Sequence, residues 1–300
     1  MNQPASALRG VLRRPGTIAA AIVVLLAFGA SGALAASPGK GTEVLDAQGI
    51  VHARGQAPAG KGGHNSANLL FHSGTILTSS VVKAIFWGSS WNNPGDKISG
   101  LGSFYSNVGG SGYMKTNTEY TGTNGQVGTG VTNQASVVDL SAGPTQAPST
   151  ATVLAEVARQ ITNPVANGYY PVYVDLPRGN AGYCAWHSYG TVKGVPVQFG
   201  FFFKLDGDAG CDPQNPDSTH SEGLEALVNV SGHELSETVT DPRNGGWYDR
   251  QGAENADKCA WTFSGLVTLK GVSWKIQGNW SNAANNVRSG YDGAGCIQTS

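Results

Sequence analysis

The segment from Glu222 to Pro242 constrains this chain more than any other, because it combines a helical apolar stripe with an unusual density of ionisable groups. Leu224, Leu227, Ser231, Leu235, Thr238 and Val239 fall within about a third of a helix circumference at roughly 100° per residue, which predicts a core-facing helix over 222–240. Pro242 stops it, since proline cannot continue a helix. Within this helix and its end lie His233, Glu234, Glu237 and Asp241. His233 and Glu237 fall away from the apolar stripe, flanked by Glu234 and Val230. A solvated face is one reading of that placement. Ala226 and Val230 on the same side instead predict that further structure packs there.

The spacing has a chemical meaning. In H-E-x-x-H, histidines at i and i+4 hold a metal from one helix face and the intervening Glu serves as general base. Here Glu237 occupies i+4, so the pattern is H-E-x-x-E, continued by Asp241. His233 and Glu237 are therefore predicted metal ligands and Glu234 the base. A further ligand is sought among Asp241, His187 in Cys184-Ala185-Trp186-His187, and Glu254 and Asp257 in Glu254-Asn255-Ala256-Asp257-Lys258-Cys259. Zinc is the metal this set predicts; an all-oxygen cluster would suit calcium. A polar turn and a structural histidine are the plain readings of the last two segments.

The other segments bound the setting. Arg9, Arg13 and Arg14 precede the apolar run from Ile18 to Phe28, and Ala33-Leu34-Ala35 has a small-x-small cleavage pattern. Residues 1–35 thus read as a secretory signal peptide, its apolar run shorter than the roughly 20 residues of a membrane span. The mature product is expected to be extracellular, with no stable membrane span once the signal is removed. Charged residues are only 13% and the net charge is −1, which argues against a nucleic-acid partner. In an exported chain, four cysteines without a C-x-x-C pair predict disulfides. Three connectivities are open to Cys184, Cys211, Cys259 and Cys296, the neighbour pairing being the simplest.

Residues 36–68, rich in Gly, Ala, Lys and Ser, read as a flexible lead-in with His52 and His64 solvated. Order is expected from about Leu69, in a single domain over 69–300. Strands are predicted at 81–87, 170–176 and 195–203, helices at 96–108 and 149–161, and short strands and turns over 115–138. The fold class expected is α+β: a mixed sheet with packed helices, the H-E-x-x-E helix after the sheet, and a disulfide-braced irregular C-terminal part. This order resembles the layout of zincin-type metallohydrolases.

A closer resemblance rests on Val82-Lys83-Ala84-Ile85-Phe86-Trp87-Gly88 with Trp91, then Cys184-Ala185-Trp186-His187, then the segment from Gly232 to Pro242 with Trp247-Tyr248, then Glu254 to Cys259. Together these resemble a bacterial-type member of the EXORDIUM, or phosphate-induced protein 1, family, over about Leu69 to Cys296. Ser188 and Tyr189 stand where a second histidine after His187 is expected of bacterial relatives. The resemblance implies a secreted or cell-wall-associated protein and names no reaction.

No G-x-S-x-G, P-loop or dinucleotide fingerprint is present. Two functions follow from the residues: a zinc-dependent hydrolase acting on peptide bonds, or a non-catalytic extracellular module with a structural ion or ion-pair network at the same place. A glycosidase-like carboxylate pair drawn from Glu234, Glu237, Asp249, Glu254 and Asp257 would instead act on a cell-wall polysaccharide.

Overall fold

The long apolar runs at 168–177 and 195–204 become neighbouring parallel strands, and everything else is arranged around them. The computed structural model describes residues 47–57, 67–214 and 219–299; the signal peptide expected at 1–35 and His64 lie outside them. Residues 44–300 form one compact unit. Its main sheet contains β1 (Gln48–His52), β2 (Ser79–Val82), β3 (Ile85–Trp87), β4 (Gly130–Asn133), β5 (Val137–Asp139), β6 (Gly168–Pro177), β7 (Tyr183–Val192) and β8 (Val195–Lys204). The order is β1-β7-β8-β6-β2-β4, with β3 between β6 and β5. All neighbours are parallel except β7, which is antiparallel to both β1 and β8.

The predicted strand at 81–87 is thus two strands, β2 and β3, both beside β6. β6 and β8 are buried along most of their length, as expected of strands covered on both faces. Three helices matter for the site: α1 (Lys97–Val108), α2 (Thr150–Gln160) and α3 (Glu222–Thr240). Side chains alternate along β7. His187 meets α3, whereas a Cβ at Gly190 would touch Leu154 of α2, so α2 and α3 cover opposite faces of the sheet.

α3 packs on β1, β7 and β8, and α1 lies against it together with the strand Val272–Trp274. Apart from Glu222 at its start, every residue of α3 is buried. The amphipathic pattern therefore marks the face toward α1 without marking an exposed one. Gly100 of α1 permits the close approach: a Cβ there would stand 2.2 Å from Leu224 Cδ2. The start of α3 is fixed twice, by the Ser221 hydroxyl accepting from the Leu224 amide and by Asp96 accepting from the Ser221 amide (2.8 Å) and hydroxyl (2.6 Å). Asp96, expected to start α1, sits there but spends its carboxylate on α3.

Two disulfides join Cys184 to Cys211 and Cys259 to Cys296, the neighbour pairing. They indicate an oxidising environment. No helix among the described residues is long and apolar enough to cross a membrane.

The expectation of a flexible lead-in up to residue 68 is corrected at its middle. Gln48–His52 is a strand of the main sheet, with Val51 fully buried. The apolar pair Ile50-Val51 is too short to give a periodicity, and its burial comes from β7 and α3 rather than from its own neighbours. His52 is half-buried, and its carbonyl accepts from Trp261 Nε1 at 2.9 Å.

Candidate metal centre

α3 delivers His233, Glu234 and Glu237 to one place because residues three and four apart share a helix face. All three are completely buried. A 3₁₀ turn, Asp257–Cys259, approaches from the C-terminal side, tethered by the Cys259–Cys296 disulfide. It brings Asp257, whose backbone amide donates to Glu237 Oε1 at 2.9 Å, and Glu254, whose amide donates to Asp257 Oδ2 at 3.2 Å. β7 brings His187 from the sheet.

Two groups of ligand atoms result, and Glu237 belongs to both. His233, Glu237 and Asp257 form one; His187, Glu237 and Glu254 form the other. The first is the tighter. His233 Nε2 lies 3.0 Å from Glu237 Oε1 and 3.5 Å from Asp257 Oδ1. Such separations suit atoms that each lie about 2 Å from a shared ion. In the second, His187 Nδ1 is 3.8 Å from Glu237 Oε2 and His187 Nε2 is 3.8 Å from Glu254 Oε2. His187 Nδ1 is closer still, at 3.0 Å, to Glu234 Oε2.

His187, His233, Glu234, Glu237, Glu254 and Asp257 therefore lie together in the structure. Asp241 does not join either group. At the end of α3 its Oδ1 accepts from the amides of Gly245 and Gly246, both at 2.8 Å, and so organises the turn after the helix. Asp249, another carboxylate of the region, pairs with Lys258 Nζ at 3.2 Å.

Sequence reasoning missed two contributors. Gln277 donates from Nε2 to His233 Nδ1 (3.0 Å) and to the Ala256 carbonyl (2.7 Å), joining the helix to the C-terminal segment. Nothing local in the sequence marks it. Gly49 of β1 lies directly over the cluster: a Cβ there would stand 2.2 Å from His187 Cε1 and Nδ1 and 2.4 Å from Glu237 Oε2. Its φ of 44° is a second reason for glycine.

The electrostatics are those of an anionic cluster without enough positive charge. Four carboxylates meet two imidazoles, and the adjacent Lys258 is committed to Asp249. Burial pushes Glu234 and Glu254 well above the usual carboxylate range. Burial and the neighbouring Asp257 carboxylate push Glu237 up to about 7. Burial lowers His187 to about 3, so its ring is neutral at pH 7. For His233 the Glu237 and Asp257 carboxylates outweigh burial and favour the charged ring. Gln277 opposes this, because its donating amide leaves no acceptor for a proton on Nδ1.

Among the described residues, several atoms here have no hydrogen-bond partner: His187 Nε2, His233 Nε2, Glu234 Oε1, Glu237 Oε2 and Glu254 Oε2. Buried polar atoms are rarely left so. A mixed nitrogen and oxygen donor set, orphaned and short of positive charge, fits a divalent cation. No protein-family model, curated protein or solved structure matches the chain.

Proposed function

We propose that this chain is an exported, EXORDIUM-type metalloprotein whose buried centre holds zinc through His233, Glu237 and Asp257 and hydrolyses peptide bonds. The observation that carries this reading is the convergence of orphaned imidazole and carboxylate atoms inside a fully buried anionic cluster. The His233 imidazole in this set favours zinc over calcium, which takes oxygen ligands. A zinc ion in such a set polarises a carbonyl and lowers the pKa of water.

The chain's own groups have definite parts in that chemistry. Glu234 does not lie in either ligand group, and its Oε2 is hydrogen-bonded to His187 Nδ1. It is thus free to take a proton as general base and to pass it on to a leaving amine. Neutral His187 orients that carboxyl through the Nδ1 contact. Asp257 and the Glu237 carboxylate brace each other through the Asp257 amide, which keeps the ligand oxygen in place.

One observation favours the second reading, a non-catalytic module with a structural ion. The backbone of Gly49 lies against His187 and Glu237, where a side chain would collide with both, so β1 closes the cluster on that side. Elemental analysis of the purified protein, paired with Glu234→Gln assayed on peptide and polysaccharide panels, separates the two. One zinc per chain, with peptide cleavage lost in the variant, supports the hydrolase. Zinc without turnover supports the structural ion. Protein that neither contains nor takes up metal overturns the hydrolase and the structural ion and leaves an ion-pair network at the same place.

A further inference from the structure

β1 is one of the edge strands of the sheet, and the one that lies over the cluster. It lies at the end of the strand order and pairs with β7 alone, through Gln48 with His187, Ile50 with Trp186, Val51 with Ala185 and His52 with Tyr183. That pairing is interrupted on both sides of Ile50-Val51. It covers only the Tyr183–His187 half of β7. Beyond it, a cavity of about 450 Å³ continues along the strand, lined by Gln48, Ser188, Tyr189, Phe199, Leu154 and Asn244.

The contacts β1 makes with the cluster are main-chain contacts. Gly49 presents no side chain to His187 and Glu237, and any Cβ would collide with them. The backbone amide of Val51 is directed at Glu234. An extended backbone is therefore laid antiparallel on a sheet edge, with peptide groups over Glu234 and His187 and a cavity ahead of it. Main-chain pairing to an exposed sheet edge gives affinity for peptides in general, and pockets along the edge give selectivity.

We propose that the edge of β7 above Glu234 and His187 is a binding groove for an extended polypeptide with glycine over the cluster, and that β1 is the chain's own occupant of it. This names the substrate class of the centre and rests on the hydrolase reading for its chemistry, while the binding itself does not. A peptide enters only when β1 leaves, so the protein is closed as described here and opens when the Gln48–His52 strand is displaced.

The test uses the full chain with Gly49→Val, whose side chain cannot fit over His187, and Val51→Pro, which removes the amide facing Glu234. The probe is a fluorescent synthetic peptide with the sequence of residues 47–53. Folded variants, checked by melting temperature and intact disulfides, are expected to bind it on the order of 10-fold or more tightly than the wild type, whose own strand competes at high effective concentration. A peptide with valine in place of its glycine is expected to bind neither variant. Equal binding by wild type and both folded variants, or indifference to that valine, overturns the groove.

Should both variants fail to fold, native-state hydrogen exchange of the wild type decides. β1 amides are expected to exchange through a local opening well before β6 and β8; exchange of β1 only with global unfolding overturns the proposal. Peptide binding without cleavage rejects the hydrolase and leaves the groove. Cleavage of added peptides by the wild type, with no gain in binding by either variant, rejects the groove and leaves the hydrolase.

Discussion

Glu237 Oε1 lies 3.0 Å from His233 Nε2, while the other oxygen of the same carboxyl faces His187. One side chain thus links helix and sheet in a single cluster. Replacing Glu237 by Gln keeps the shape and removes a buried negative charge. Metal-free Glu237→Gln is expected to be more stable than the metal-free wild type by about 1 kcal/mol, or roughly 2 to 4 °C. It is also expected to lose the melting-temperature gain that zinc gives the wild type. Thermal melts with chelator and with zinc check both; a variant that zinc still stabilises removes Glu237 from the ligand set.

The Cys259–Cys296 disulfide closes a loop of 37 residues next to Asp257 and Glu254. Replacing both cysteines by Ala is expected to cost about 3 to 4 kcal/mol of stability on the chain-entropy estimate. It is also expected to weaken zinc binding, because the turn carrying Asp257 loses its tether. Removing Cys184–Cys211 should cost a similar stability, with a smaller effect on zinc, since no residue of the tighter group lies on that loop. Denaturant melts and competition with a chromogenic chelator distinguish the two.

The parts of the site legible in the sequence were those with local chemistry. His233, Glu234 and Glu237 were visible because helical spacing alone puts them together, and Asp257 and Glu254 because an acidic turn beside a cysteine had to be fastened somewhere. Asp241 misled for the same reason. It follows Glu237 by four residues, but the helix ends there, and its Oδ1 accepts from the Gly245 and Gly246 amides. Gly49 and Gln277 were illegible because their roles come from contacts across 138 and 44 residues, with His187 and His233 respectively. The complete burial of α3 was illegible too. A stripe of leucines shows which side meets the core, yet β1, β7 and the C-terminal segment cover the remaining sides by tertiary packing.

Gln277 bears on which nitrogen of His233 carries the proton. Its amide donates to Nδ1, which leaves the proton of a neutral ring on Nε2, the atom facing Glu237 and Asp257. Zinc on Nε2 takes that proton's place and requires an acceptor beside Nδ1–H. Gln277→Glu supplies one and is expected to tighten zinc binding on the order of 10-fold at pH 7. A chelator-competition titration measures it, and weaker binding by this variant places the metal away from His233.

The pH dependence of the metal-free protein has a predictable sign. In the unfolded chain, Glu234, Glu237 and Glu254 titrate near their ordinary values, about 4.3. In the fold Glu237 is pushed up to about 7, and Glu234 and Glu254 are also raised well above the usual carboxylate range, by burial and by neighbouring carboxylates. The folded state then binds more protons than the unfolded state, so this contribution is present below about pH 4.5 and is lost as the pH rises through 7. His233, raised by Glu237 and Asp257, acts in the same sense. His187, lowered to about 3, acts in the opposite one: its contribution is present above about 6.5 and is lost as the pH falls toward 3. One group opposes four, so the melting temperature of the metal-free protein is expected to fall between about pH 5 and pH 8. With saturating zinc the trend should flatten or reverse, because ligation replaces the protons and strengthens as they leave. Melts at pH 5, 6, 7 and 8, with chelator and with zinc, measure both slopes. A metal-free melting temperature that rises over this range would mean that the carboxylates are already paired with positive charge and that the cluster has no need of a cation.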